Sequence, residues 1–220
     1  MKLLMCPPTY YGIEYEINPW MRRSQQSNPR EAGAQWDGLR RLLQEQLAVD
    51  IQLIESQPGL PDMVFTANGG LVWDDKFIVS NFRYEVRRRE AAHFEEWFRN
   101  WGFNVTRLPP EMYFEGEGDL LKCGDTWFAG YHIRSDIIAH QNIAEIIEQE
   151  ILSLELTNAG TTTLILASVR CARDRPYSIL LRSIRMRVKF WKITFRDSSP
   201  CPTTRPQDLL ATQSLPGTRL

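Results

Sequence analysis

The sequence predicts a mixed α/β fold built from a repeated β-β-α-β module, and two observations carry that prediction. Short apolar strands alternate with amphipathic helices along residues 1–158. Three apolar positions of one module also recur 49, 50 and 48 residues later, in the pairs Leu71 and Leu120, Phe77 and Trp127, Phe103 and Ile151. A steady offset of roughly fifty residues is typical of propellers and repeat arrays.

The first module is predicted to be a strand, a helix and a second strand. Lys2–Cys6 is a short apolar run that ends at two prolines. A helix is predicted from Pro29 to about Leu47, because proline suits a first turn and four apolar residues share one helical face: Trp36, Leu39, Leu43 and Leu47. Ile51–Ile54 follows as a strand.

Each of the next two modules is predicted to hold a strand pair, a helix and a closing strand. In the second module these are Leu71–Trp73, Phe77–Ser80, about Arg88–Trp101 and Phe103–Leu108. In the third they are Leu120–Leu121, Trp127–Ala129, about Asp136–Glu150 and Ile151–Leu156. The strand pairs turn at acidic or glycine dipeptides, Asp74-Asp75 and Gly124-Asp125.

The composition of the chain excludes several classes of protein. With 43% hydrophobic and 24% charged residues in 220, the chain is typical of a soluble globular protein. It contains no apolar run of eighteen residues, so no membrane contact is expected. The four cysteines form no C-x-x-C pair, so the sequence predicts neither a disulfide framework nor a zinc site, and favours a cytoplasmic location.

Charge divides the chain after Asn158. Residues 1–158 hold 15 basic and 24 acidic side chains, whereas residues 159–220 hold 11 basic and 3 acidic ones. Basic tails often bind nucleic acid. Here the arginines of the tail show no interleaved aromatic residues and no helical phosphate-binding face, so a nucleic-acid partner is not expected.

Two polar strings precede predicted strands, one at residues 60–70 and the other at residues 114–119. Asp62, Glu115 and Asp119 lie in them, and a pocket that joins these carboxylates would favour a cation such as a guanidinium. An arginine in the same pocket would suit a substrate carboxylate, and the two together describe an amino acid such as arginine. Each acid taken alone is also typical of a turn or a cap.

Four strings of this chain resemble the guanidino-modifying branch of the amidinotransferase superfamily, which includes dimethylarginine dimethylaminohydrolases, arginine deiminases and arginine dihydrolases. The strings are LMCPPTYYGIEYEINPWM, LPDMVFTANGGLV, FEGEGD and GYHIRSD. The resemblance covers residues 1–158 and implies the pentein fold, an α/β propeller of five modules with the substrate in a central channel. It agrees with the repeat in the sequence.

The resemblance also implies a mechanism. A Cys thiolate attacks the guanidino carbon, ammonia or an amine leaves, and water releases the product, with a His as general acid and base. It implies an acid that pairs with this His at Glu115. It further implies substrate contacts at Asn18, Asp62, Phe65 and Asn68, with Arg87 and Arg134 as candidates for the substrate carboxylate and Asp119 beside them. No metal or organic cofactor is implied, and the partner is a small guanidino substrate.

The His and Cys of the family, in HLDT-like and FACNA-like strings, are absent from this chain. The hypothesis is that a one-base deletion, or an equivalent sequencing error, near residues 158–160 changed the reading frame. Synonymous codons for Gly160–Ser168 can be chosen so that, one base out of register, they encode Tyr-Tyr-His-Leu-Asp-Thr-Cys-Phe, and codons for Asp208–Ser214 can be chosen to encode Phe-Ala-Cys-Asn-Ala. The displaced His codon would then span Thr162 and Thr163, and the Cys codon would span Leu210 and Ala211.

The sequence therefore predicts the N-terminal part of a pentein catalytic domain at residues 1–158. Residues 159–220 are predicted to be an out-of-frame, poorly ordered tail, which leaves the propeller incomplete at its C-terminal end. By family the activity is hydrolysis at the guanidino group of arginine or an N-methylated arginine, but this chain is expected to be inactive. An amidinotransferase and a non-catalytic arginine-binding pentein remain alternatives.

Overall fold

Three strand–helix units follow one another along residues 2–157. These residues, with the backbone of three short strands beyond them, are the part of the chain that this computed structural model describes. The strands are β1 (Lys2–Met5), β2 (Asp50–Leu53), β3 (Gly70–Trp73), β4 (Lys76–Val79), β5 (Asn104–Arg107), β6 (Leu120–Cys123), β7 (Thr126–Tyr131), β8 (Ile151–Glu155), β9 (Val169–Ala172), β10 (Arg175–Ile179) and β11 (Val188–Lys189). The helices are α1 (Pro29–Arg41), α2 (Glu85–Arg88), α3 (Glu90–Asn100) and α4 (Ile137–Ile147).

The second and third units share one topology. In the second, β3 pairs antiparallel with β4, and β4 pairs parallel with β5 across α3. In the third, β6 pairs antiparallel with β7, and β7 pairs parallel with β8 across α4. The equivalent partners are Phe77 with Val105 and Trp127 with Ile151. The predicted β-β-α-β repeat is confirmed in these two units, whose boundaries differ from prediction by a few residues.

Each of these two units buries one face of its helix against its own sheet. In the second, Phe94 and Phe98 of α3 are buried, and the Phe98 ring stacks on Phe77 with centroids 3.7 Å apart. In the third, Ile143 and Ile147 of α4 are buried in the same core as Leu71, Leu120 and Trp127. Each such buried side chain stabilises the fold by about 1.5–3 kcal/mol.

The first unit is built differently. Its sheet has two strands, β1 and β2, which pair in parallel. Asn28 caps α1, and a π-helical turn at Leu42–Gln46 extends it, but neither segment contains a buried residue. Leu39 is 52% and Leu47 61% exposed. The predicted apolar face therefore exists, but the described elements do not bury it, because periodicity identifies a face without providing a partner for it.

The boundaries of two predicted helices differ slightly from expectation. The helix predicted at about Arg88–Trp101 is α3 (Glu90–Asn100), which follows the separate single turn α2 (Glu85–Arg88). Helix α4 stops at Ile147, because Glu148 takes a left-handed conformation with φ of 55°. Left-handed backbone cannot continue a right-handed helix.

Beyond residue 157, β9 and β10 form an antiparallel pair, and β11 lies antiparallel to β8. The other residues of the predicted tail, with the displaced His and Cys codons, lie outside the described residues. The division of the chain at residue 158 stays a prediction.

The cysteines differ from expectation at one position. Cys6 is a free, buried thiol, but Cys123 is disulfide-bonded, so the prediction of no disulfide is wrong there. A cytoplasmic location stays a prediction. None of the helices in the described part of the chain is long and apolar enough to cross a membrane.

Candidate active site

Three loops bring Asp62, Asn68, Glu115, Asp119 and Arg134 close to one another. One contains two short 3-10 turns, Pro61–Val64 and Thr66–Asn68, and leads into β3. Another contains the 3-10 turn Gly116–Gly118 and leads into β6. The third follows β7 and carries Arg134. The first two loops occupy equivalent places in successive units, so the repeat itself positions both polar strings at one end of the fold.

Two glycines let the first two loops approach closely. Gly116 has φ of +62°, and a Cβ there would lie 2.5 Å from the carbonyl oxygen of Ala67. A Cβ on Gly118 would lie 2.3 Å from Nδ2 of Asn68. Asn68 Nδ2 donates a hydrogen bond of 3.2 Å to the carbonyl oxygen of Glu115. Asn68 therefore links the two polar strings directly.

Glu115 and Arg134 form a buried ion pair. Nη1 of Arg134 donates to Oε2 of Glu115 at 2.7 Å, and both side chains are excluded from solvent. Ser135 links this pair to Asp119, because its Oγ accepts the Glu115 N–H at 3.1 Å and donates to Asp119 Oδ2 at 2.6 Å. This network holds Glu115, Arg134 and Asp119 at the start of β6.

Two atoms of this ion pair are buried without a hydrogen-bond partner among the described residues. They are Oε1 of Glu115 and Nε of Arg134. Leaving a buried polar group unsatisfied costs about 1–3 kcal/mol, and more for a charged group. Oε1 is therefore an acceptor oriented for an N–H donor that this part of the chain does not supply.

A second buried ion pair lies on the neighbouring elements. Arg87 donates through Nε and Nη2 to the two carboxylate oxygens of Glu90 at 2.9 and 2.8 Å. Nη2 also donates to the carbonyl oxygen of Asp62 at 3.2 Å, and Nε lies 3.7 Å from Oδ2 of Asp62. Arg87 thus bridges two buried carboxylates.

Burial sets the electrostatics of this cluster. It raises the pKa of the Asp62 and Glu90 carboxyls, although the charge of Arg87 opposes the shift in both. The pKa of the Tyr15 phenol is raised by burial and by the Asp62 carboxylate. Arg134 acts on Asp62 and Glu115 acts on Arg87 through their charges, so the two ion pairs form one electrostatic unit.

Two predicted site residues lie apart from this unit. Oδ1 of Asn18 accepts the N–H groups of Trp20 and Met21 at 2.9 and 3.1 Å, which closes its own loop. Phe65 is 47% exposed and packs edge to face against Tyr11. Neither side chain contacts the ion pairs in the described residues. Their roles as substrate contacts stay predictions.

Glu90 and Tyr15 belong to the site, although the sequence analysis did not single them out, whereas Ser135 lies beside Arg134 in the string GYHIRSD that it did. Glu90 could have been found from its spacing, since it lies three residues after Arg87, the distance at which helical side chains meet. Tyr15 lies inside a string that was singled out, but Asp62, which raises its pKa, is far away in the sequence, so no local pattern connects the two.

Cys6, Cys123 and His140 lie in environments that disfavour a reactive thiolate or a charged imidazole. Burial raises the pKa of the Cys6 thiol to about 12, and Cys123 is in a disulfide. His140 is buried, with Nδ1 2.9 Å from Ser153 Oγ, and burial lowers its pKa to about 4. No cluster of ligand residues that could hold a metal occurs among the described residues.

Sequence comparisons match this chain to dimethylarginine hydrolases and arginine dihydrolases. A family model described as "N,N dimethylarginine dimethylhydrolase, eukaryotic" matches residues 13–165. The bifunctional arginine dihydrolase/ornithine cyclodeaminase AgrE of Nostoc sp. is 42% identical over 159 residues, which are 71% of this chain and 22% of that protein. The N(G),N(G)-dimethylarginine dimethylaminohydrolase of Mycobacterium tuberculosis is 37% identical over 154 residues, 70% of this chain and 50% of that protein.

Solved structures agree with this. The substrate-bound N-terminal domain of ArgZ, a cyanobacterial arginine dihydrolase, superposes with a TM-score of 0.73 at 35% identity, covering 79% of this chain and 64% of that domain. A dimethylarginine dimethylaminohydrolase adduct, at 21% identity and a TM-score of 0.60, supports the fold alone. The chain spans at most half the length of the curated relatives described above.

Proposed function

Because the chain belongs to the N,N-dimethylarginine dimethylhydrolase family, we propose that residues 2–157 form the arginine-recognising part of a C–N hydrolase. Its substrate is the guanidino group of arginine or an N-methylated arginine. One observation carries the proposal: in the buried electrostatic unit, carboxyl groups outnumber guanidinium groups.

The charge balance of the unit favours a cation. Asp62, Glu90, Glu115 and Asp119 are buried, and only Arg87 and Arg134 among the site residues offset them. The raised pKa values of Asp62 and Glu90 mean that burial disfavours their ionised forms. A bound guanidinium would stabilise those ionised forms and bring N–H donors, so arginine is complementary to this unit in both respects.

We assign the substrate contacts as follows. Asp62 binds the cationic group of the substrate, Arg87 and Arg134 recognise its carboxylate, and Asn68, Asp119, Asn18 and Phe65 line the approach. Glu115 is the acid that orients the general acid–base His in a complete enzyme. AgrE and ArgZ are named arginine dihydrolases, which supports arginine over a methylated arginine as the substrate.

We further propose that the 220-residue chain is catalytically inactive. The reaction needs a thiolate that attacks the guanidino carbon and a His that transfers protons. The HLDT-like and FACNA-like strings are missing from the sequence, and the described cysteines and His140 are buried or oxidised. A one-base change of reading frame near residues 158–160 accounts for both losses together.

The test is a pair of measurements on the 220-residue chain. Calorimetry with arginine is expected to detect binding that Asp62→Ala abolishes. The matched control is Asp37→Ala, which removes an acid paired with arginines on the surface of α1. Incubation with arginine or dimethylarginine is expected to release no citrulline, ornithine or ammonia. Turnover would overturn the inactive assignment, and a lack of arginine binding would overturn the site.

Two alternatives give different results in the same experiments. A non-catalytic arginine-binding protein would bind arginine without turnover even when the reading frame is restored. An amidinotransferase would release ornithine from arginine only when an amine acceptor is supplied. The family membership of the chain favours the hydrolase over both.

A further inference from the structure

Glu90 is a buried acid in the first turn of α3, and none of the substrate contacts assigned above involves it. Its side chain is fully excluded from solvent, and its only hydrogen bonds in the described residues come from Nε and Nη2 of Arg87. A carboxylate that binds both N–H groups along one edge of a guanidinium fixes the plane of that group. Glu90 therefore determines which way Arg87 faces.

The face of the Arg87 guanidinium is fixed as well. Its central carbon lies 4.5 Å from the centroid of the Phe82 ring, an arrangement typical of cation–π contacts. The carbonyl oxygen of Asp62 takes the other N–H of Nη2. The two N–H groups on Nη1 make no hydrogen bond within the described residues. These contacts thus occupy one edge and one face of the Arg87 guanidinium. Nη1 is the nitrogen that stays available to donate to a ligand.

We propose that Glu90 is a positioning residue that holds Arg87 with Nη1 oriented toward the carboxylate of bound arginine. The inference rests on the proposed function, in which Arg87 recognises that carboxylate. Glu90 itself does not touch the substrate. Its contribution is to discriminate between guanidino compounds that carry a carboxylate and those that do not.

The test compares arginine with agmatine, which is arginine without its carboxylate. Both are titrated calorimetrically into the unaltered 220-residue chain and into Glu90→Gln. The unaltered chain is expected to prefer arginine. Glu90→Gln is expected to weaken arginine binding by about tenfold or more, as for loss of a charge-assisted contact, and to leave agmatine binding unchanged. A purely structural role would weaken both ligands equally.

Glu95→Gln is the matched control. Glu95 lies on the same helix and pairs with Arg99 and Arg107, whose side chains are exposed. Its replacement is expected to leave the affinities for arginine and agmatine unchanged. A change in the preference for arginine in this variant would show that helix stability, rather than the orientation of Arg87, controls recognition.

Glu90→Gln leaves the buried charge of Arg87 with one acidic partner fewer, which could prevent folding. A second variant is therefore needed. Removing both charges with Arg87→Gln and Glu90→Gln avoids this problem, and the double variant is expected to prefer arginine over agmatine less than the unaltered chain does, with Arg134 supplying the remainder. A folded variant whose preference for arginine equals that of the unaltered chain overturns the inference. An unaltered chain that binds neither ligand overturns the proposed function first.

Discussion

At the scale of single residues, the two buried arginines are held in different ways. Arg87 is bound along one edge by Glu90, whereas Arg134 makes a single 2.7 Å hydrogen bond to Glu115 and keeps Nε unpartnered among the described residues. Both carboxylate oxygens of Glu90 accept hydrogen bonds from Arg87, whereas Oε1 of Glu115 and Nε of Arg134 have no hydrogen-bond partner among the described residues. A ligand that supplied partners to the Glu115–Arg134 pair would therefore form more new hydrogen bonds than one at the Arg87–Glu90 pair.

Glu115→Gln tests how much the Glu115–Arg134 ion pair contributes to the free energy of unfolding. Breaking a buried ion pair from one side is expected to lower the free energy of unfolding by about 3–5 kcal/mol, because the Arg134 charge stays buried without its partner. Urea unfolding measures the change. The double variant Glu115→Gln with Arg134→Gln is expected to lose less. Equal losses in the single and double variants would mean that the Arg134 charge is not stranded.

Glu117 gives a prediction about pH. Its carboxylate accepts the Val72 N–H at 3.3 Å, and burial raises its pKa above the ordinary value. A raised pKa in the folded state means that this group supports stability fully at low pH and loses that contribution as the pH rises through the raised pKa. Glu117→Gln is therefore expected to raise Tm at pH 8 more than at pH 4. Thermal melts that shift equally at both pH values would contradict this.

Sequence reasoning located the acids of the site but not their partners. Asp62 and Glu115 are recognisable because each lies among small residues just before an apolar strand. The spacing of Glu90 from Arg87 suggests that the two side chains meet, but it does not predict burial, since an acid at the start of an amphipathic helix is usually on the surface. Its burial depends on Arg87, Phe82 and Asp62 meeting in space, and a one-dimensional pattern carries no such information.

At the scale of elements, prediction succeeded where an element is paired within its own unit. Strands β3 to β8 were located to within a few residues, because each is a short apolar run with a turn or a helix beside it. Helix α1 was also predicted, but not the exposure of its apolar face. The two-stranded sheet of the first unit does not bury that face, and the sequence gives the face without its partner.

The loop that carries Glu115 depends on a backbone conformation that favours glycine. Gly116→Ala would impose a left-handed residue, which costs roughly 1–2 kcal/mol, and would also place Cβ against a backbone oxygen. Gly124→Ala is the control, because Gly124 has φ of +59° and open space around it. Chemical unfolding is expected to show a larger loss of stability for Gly116→Ala. Equal losses would mean that the contact with Ala67 relaxes freely.

At the scale of the whole molecule, two properties bear on the proposed function: the net charge of residues 1–158 and the share of the ArgZ domain that the chain covers. Residues 1–158 carry nine more acidic than basic side chains, and this is the part that contains the cation-complementary unit. A field of that sign attracts a cationic substrate. The substrate-bound ArgZ domain is only 64% covered by this chain, so a substantial part of that domain has no counterpart in the match. In the proposed function, residues 2–157 recognise the substrate, and the reacting Cys and His belong to the remaining part of such a domain, its reaction half.

The last prediction follows from that division. If a one-base change near residues 158–160 removed the reaction half, the gene read one base out of register there should encode HLDT-like and FACNA-like strings in that order. The frame-restored chain is expected to release citrulline or ornithine and ammonia from arginine, whereas the 220-residue chain does not. Cys→Ser at the restored nucleophile should abolish turnover and keep arginine binding, because the proposed substrate contacts are Asp62, Arg87 and Arg134. DNA in which no frame restores both strings would refute the explanation while leaving the arginine-binding test intact.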